Sequence, residues 1–160
     1  GQYAQHVSLH GLRDRRRRGL IFVRARLAIA ICLGAAPAFA ETSAHGLYTL
    51  HCSGCHGRDG GGSKTGRVPP FAGIVGHFAG EAQGRRYLVL VPGVANSGLS
   101  DADTARVLNY VVQAWGEGAA RRAYTPAEVA AIRASRVDDI VALRGQIVGD
   151  LARRGVRVAY

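Results

Sequence analysis

The sequence predicts an all-α protein, and three stretches carry that prediction. Residues 99–115 form the clearest helix: Ser100 is a natural N-cap, Asp103 sits in the first turn, and Val107, Leu108, Val111, Val112 and Trp115 fall on one helical face. Thr125-Pro126-Ala127-Glu128 is a capping box with proline at the first helical position. Val129, Ile132, Val137, Ile140, Val141, Leu143, Ile147, Val148 and Leu151 then supply apolar positions for two helical pieces, broken near Ser135 to Val137. Between Thr42 or Ser43, either a plausible cap, and His51, a short helical stretch leads into Cys52-Ser53-Gly54-Cys55-His56. A chain of 160 residues allows one domain of about 100 residues with extensions.

The N-terminal elements concern targeting. The formal charge of +10 resembles a nucleic-acid signature, but residues 1–40 carry seven arginines against Asp14 alone, so six of those charges sit there. Aromatic residues are sparse and no basic run lies near them, which argues against nucleic-acid binding. An apolar run over residues 27–36 follows the arginines and ends in Pro37-Ala38-Phe39-Ala40. Basic region, short apolar region and Ala-x-Ala site describe a secretory signal cleaved after Ala40, with an uncleaved anchor as the alternative. The run is too short to cross a bilayer comfortably, so no stable membrane span is expected and the mature chain is expected to be periplasmic.

The pattern Cys52-Ser53-Gly54-Cys55-His56 is what covalent haem attachment needs. Two thiols separated by two residues can each close a thioether to a haem vinyl group, and the adjacent histidine then serves as an axial iron ligand. A zinc ribbon needs a second ligand pair, whereas the remaining cysteine, Cys32, lies in the expected signal. A thioredoxin-like pair follows a strand and opens a helix, whereas this motif closes one.

Around the motif, Gly46-Leu47-Tyr48-Thr49-Leu50-His51-Cys52-Ser53-Gly54-Cys55-His56-Gly57 resembles the opening of class I cytochromes c. The resemblance implies that the glycine and the aromatic residue let the first helix cross closely over the last. It extends to the glycine-rich loop at residues 58–66, where the backbone would pass beside the haem, and to Pro69-Pro70-Phe71-Ala72-Gly73-Ile74-Val75-Gly76-His77. It implies that the Pro69 carbonyl accepts a hydrogen bond from the free ring nitrogen of His56, raising its basicity. Phe71 and Val75 would pack on the haem, and Tyr110 would contact the first helix. The implied fold is a small helical domain around one covalent haem c over residues 41–118; no cytochrome motif lies outside it, and the apolar positions after Thr125 predict an αα extension over residues 119–160 packed on it. A coiled-coil or partner-binding arm is the other reading of that extension. Arg85-Arg86-Tyr87-Leu88-Val89-Leu90-Val91 reads locally like a strand, and in a helical cytochrome as a short helix or extended segment. Its arginines are read as propionate contacts or as a solvated basic pair.

The departure from the family is the sixth iron ligand. Class I cytochromes c usually present a methionine in the loop before the last helix, and this chain has none. The corresponding residues 91–98 offer only Asn96, a poor donor to low-spin iron. His77 is the best alternative by chemistry, although by resemblance it falls where the family often has an arginine directed at a propionate. An open or water-filled site is equally in play, with His51 a lesser candidate. His45 and His51 otherwise read as surface residues.

The expected function is that of an exported electron carrier working with a periplasmic dehydrogenase or oxidase. The alternatives are a haem enzyme or gas-binding protein with an open sixth site, and a haem subunit docked to a larger enzyme through the extension. No distal acid/base pair stands out, so enzyme chemistry is not expected.

Overall fold

Ser43 starts the first helix of the structure, its hydroxyl accepting the Gly46 N–H at 3.0 Å. The structure is a computed structural model that describes residues 42–117, 122–135 and 137–158. The expected signal peptide and the boundary near residue 118 lie outside them. Among the described residues the elements are α1 (Ala44–His51), α2 (Ser53–His56), α3 (Val75–Ala79), α4 (Ala82–Leu90), α5 (Pro92–Ala95), α6 (Asp101–Trp115), α7 (Pro126–Ala134) and α8 (Ile140–Arg153). A lone antiparallel bridge joins Ser63 and Val68. None of these helices is long and apolar enough to cross a membrane.

The α6 helix forms as its sequence predicts. The Ser100 hydroxyl accepts the Asp103 N–H at 3.1 Å, and Asp101 and Asp103 place negative charge at the positive end of the helix dipole. Its inward face carries Thr104, Ala105, Val107, Leu108 and Val111. Val107 and Val111 bury against Leu47 and Tyr48 of α1, and Val75 of α3 completes this first cluster. The crossing is aromatic: the Tyr48 ring, 1 % exposed, lies 5.7 Å from Tyr110 and 5.0 Å from Trp115. Gly46 does not make that crossing close. A Cβ there would meet Thr42 and Ser43 of its own chain segment, with nothing from α6 within 4 Å.

The strand-like stretch at residues 85–91 is helix, and the reason is tertiary. With no strand among the described residues to pair with, its backbone must be satisfied within the segment. Gly84 lets α4 run directly against the backbone of α3, since a Cβ there would sit 2.1 Å from the Phe78 carbonyl oxygen. Pro92 then opens α5 at its first position, where a missing N–H costs nothing.

The C-terminal helices complete the core. Tyr124 and Val129 bury with Val89 of α4 and Ala105 and Leu108 of α6. Leu143, Ile147 and Leu151, one face of α8, bury against Ile74 and Phe78. The break between the helices falls where the pattern places it: Ser135 ends α7 and the Asp139 carboxylate caps α8 through the Val141 and Ala142 N–H groups, at 2.8 and 2.9 Å.

A polar clamp fastens α7 to α4. Arg85, 6 % exposed, grips Glu128 with two parallel bonds of 2.7 Å and donates to the Arg122 carbonyl at 2.7 Å and the Ala79 carbonyl at 3.3 Å. Its guanidinium lies 3.8 Å from the Tyr124 ring centre. Asn109 adds a two-way pairing with the Tyr124 backbone, at 2.7 and 3.0 Å. Arg85 is therefore not a solvated surface residue, and its donors are divided between Glu128 and Arg122 of the extension and the Ala79 carbonyl. The capping box is only half made, because Thr125 accepts the Glu128 N–H while the Glu128 carboxylate goes to Arg85.

Candidate haem-attachment site

The backbone passes almost without interruption from α1 into α2. Cys52 N–H donates to the Tyr48 carbonyl at 2.9 Å and His56 N–H to the Cys52 carbonyl at 3.0 Å. Cys52 and Cys55 are thus nearly one helical turn apart, a spacing that puts side chains on the same side. Both thiols are free, Cys55 exposed and Cys52 half-buried against the first core cluster. Burial pushes the Cys52 thiol up, so it stays protonated and unreactive as an ordinary nucleophile.

The loop that follows folds back over the turn. Gly62 N–H donates to the His56 carbonyl and Phe71 N–H to the Gly60 carbonyl, each at 2.9 Å. The Tyr48 hydroxyl reaches from α1 to donate to the Gly57 carbonyl. Gly60 is required here. Its φ is +71°, and a Cβ would come within 2.7 Å of Trp115 and 3.1 Å of Phe71.

His56 receives the most specific environment. Phe71 stacks on its imidazole at 4.1 Å and 16°, and Trp115 stacks behind Phe71 at 5.4 Å. Burial pulls the His56 pKa below the usual histidine range, with the nearby Pro69 carbonyl partly opposing it. The ring is thereby held neutral, the form that binds a metal. Nδ1 is buried and makes no hydrogen bond of ordinary geometry. The Pro69 carbonyl is close enough to bias the ring without closing a bond. A small reorientation of the imidazole would complete it.

These residues fit a covalently held haem. Two free thiols lie a turn apart, and a half-buried neutral imidazole follows, its enclosed Nδ1 near the Pro69 carbonyl, so that its other nitrogen could ligate iron. A zinc reading lacks support, since no group of three or more His, Cys, Asp or Glu able to hold a metal occurs among the described residues. A depression of about 530 Å³ lined by Gly61, Ser63, Lys64, Arg67, Val68 and Pro70 includes neither cysteine nor His56.

The structure brings Cys52, Cys55, His56, Pro69 and Phe71 together. Val75 sits in the first cluster with Tyr48. His77 is exposed on α3, between the buried Gly76 and Phe78. Asn96 is exposed at the end of α5. Sequence reasoning did not assign the Tyr48 hydroxyl or the Gly60–Trp115 contact. Both pair with backbone or ring distant along the chain, and no local pattern encodes them.

No family model matches the chain. It is similar to cytochrome c-552 of Thermus thermophilus, 30 % identical over 133 residues that take in 70 % of this chain and 88 % of that protein. A second cytochrome c-552 from the same organism is 32 % identical over 107 residues, covering 54 % of this chain and 81 % of its own. In the first comparison 70 % of 160 residues is about 112, so about twenty of the 133 aligned positions have no residue in this chain.

Proposed function

The chain belongs to the class I c-type cytochrome family, and on that footing we propose that it is an exported electron carrier, exchanging single electrons with a periplasmic dehydrogenase or oxidase. The cofactor is haem c, which supplies a one-electron ferric/ferrous couple when bound. The observation that carries the reading is the helical turn that sets Cys52 and Cys55 on one side and ends on His56, half-buried with its Nδ1 enclosed and its pKa lowered by burial.

The work of the chain's own residues follows from their positions. Cys52, half-buried, ties the cofactor to the first cluster, while exposed Cys55 keeps an attachment edge at the surface, where a partner can approach. His56 would hold the iron of a bound haem. The Pro69 carbonyl orients its ring, and Phe71 with Trp115 keeps water off that side. No acid/base pair is needed for electron exchange, and export supplies the compartment in which covalent attachment occurs.

Production in a host with haem-attachment machinery tests this. The periplasmic protein is expected to begin at Glu41, to carry the mass of one haem, and to show thioether-type reduced spectra in pyridine with a reversible one-electron titration. The midpoint should lie below that of methionine-ligated relatives, because a thioether favours ferrous iron. Recovery without bound haem, or with residues 1–40 retained in the membrane fraction, would reject the corresponding part of the reading.

A further inference from the structure

The ring of Tyr48 belongs to the helix crossing, but its hydroxyl belongs to the attachment turn. The residue is 1 % exposed, and its ring lies 5.0 Å from Trp115 and 5.7 Å from Tyr110. Packing of that kind needs no hydroxyl, and a phenylalanine ring would serve it as well. The oxygen donates instead to the carbonyl of Gly57, the residue directly after His56. Burial raises the pKa of the phenol, and the Gly60 N–H beside the same oxygen partly opposes the rise. A hydroxyl buried without a partner is costly, so burial of the ring and the bond to Gly57 hold together.

That bond is one of a set that ties the returning loop to the turn. Gly57 closes α2 with φ +74°, its N–H on the Ser53 carbonyl at 2.9 Å. Gly62 N–H then comes back to the His56 carbonyl, and Phe71 N–H to the Gly60 carbonyl, each at 2.9 Å. These bonds set the course of residues 57–71, and with it where Pro69 and Phe71 stand against the imidazole. Phe71 stacks on the ring at 4.1 Å, and the Pro69 carbonyl lies near enough to oppose the loss of basicity that burial causes. Tyr48 anchors the start of this loop to the core, because Leu47 and Tyr48 bury with Val107 and Val111 of α6.

We propose that Tyr48 is a positioning residue for His56, its hydroxyl holding the loop so that the Pro69 carbonyl stays beside the imidazole and tunes the reduction potential of the bound haem. The inference rests on the haem c reading above. A carbonyl that accepts a bond from a ligating imidazole makes the ring a stronger donor, which favours ferric iron and lowers the potential. Without the hydroxyl, residues 57–71 lose the tether at their start. The contact between imidazole and carbonyl then loosens on average, and the potential rises.

The test compares the wild-type holoprotein with Tyr48→Phe, which keeps the ring, and with Val129→Ala, which loosens the cluster that α7 forms with α4 and α6. Pyridine spectra first establish covalent haem in each protein, and midpoint potentials and thermal melts are then measured on the same samples. Tyr48→Phe is expected to raise the midpoint and lower the melting temperature, and Val129→Ala to lower the melting temperature alone. A fluorotyrosine introduced at position 48, nearly the same size and a stronger donor, should move the midpoint the opposite way. An unchanged or lowered midpoint in Tyr48→Phe overturns the proposal, as does an equal rise in Val129→Ala, which would make the effect one of general loosening. If Tyr48→Phe takes up no haem where the wild type does, the fluorotyrosine protein decides: a lowered midpoint supports the proposal, and an unchanged or raised one overturns it. If the wild type carries no covalent haem, the underlying reading fails, and the pyridine spectrum separates that failure from the others.

Discussion

Replacing Cys52 and Cys55 together with Ser, or His56 with Ala, is expected to abolish stable covalent haem and to leave a chain without cooperative folding. The helices around the motif are eight and four residues long. Isolated helices below about 12–15 residues are marginal in water, so α1 and α2 depend on what they pack against. One side of that packing is Leu47 and Tyr48 on α6, and under the haem c reading the cofactor would supply the other. A group bound only by the folded state stabilises that state by mass action, and a covalent one cannot be diluted away. Thermal unfolding followed by circular dichroism, beside a haem stain of the purified variants, measures both effects. A cooperatively melting apoprotein would show that the protein core suffices without the porphyrin.

The second large effect is expected at Arg85. Arg85→Ala should cost about 1–3 kcal/mol of unfolding free energy, because it removes a buried guanidinium and its charge-assisted bonds while Glu128 keeps its bond from Arg122 Nη2 at 2.8 Å. Glu128, whose side chain is 15 % exposed, would lose both bonds from α4 and keep only its ion pair with Arg122, whose side chain is 69 % exposed. The carbonyls of Ala79 and Arg122 would lose a donor as well. A domain holding about 5–15 kcal/mol in total would give up much of its margin. Urea midpoints at constant slope measure it, and a loss below about 1 kcal/mol would mean water replaces the clamp. Acid should act through the same pair. Hydrogen bonding to Arg85 holds the Glu128 carboxyl below its ordinary value of 4.5, so its contribution is complete above that pH and fades as pH falls through the depressed folded value.

The residues of the candidate site were easier to single out in the sequence than the way the molecule closes around them. Cys52, Cys55 and His56 are adjacent in sequence, and one helical turn suffices to assemble them. Ser100, Thr125 and Asp139 mark helix starts because a cap is a bond to a backbone N–H two or three residues away. Arg85 could not be placed in that way. Its partner Glu128 lies 43 residues on, and an arginine beside another arginine looks like a solvated pair until α7 is folded over it. The stretch at residues 85–91 misleads for a related reason: its β-branched and aromatic residues serve three packing surfaces around a helix, where local preference would alternate two faces of a strand. Gly46, read as the close point of the α1–α6 crossing, shows that a residue type carried over by resemblance need not keep the contact.

Leu88 touches all three hydrophobic clusters: the one holding Cys52 and Phe71, the one beneath α8 and the one that receives Tyr124 and Val129. A single side chain shared in this way makes the cofactor end and the C-terminal end energetically non-additive. Amide hydrogens in α7 and α8 should therefore exchange through the same opening event as those of α4 and α6, as one foldon rather than as a separable appendage. Leu88 thus couples the order of the C-terminal helices to that of the attachment end, and limited proteolysis of α7 and α8 before and after haem attachment is expected to show greater cleavage before it.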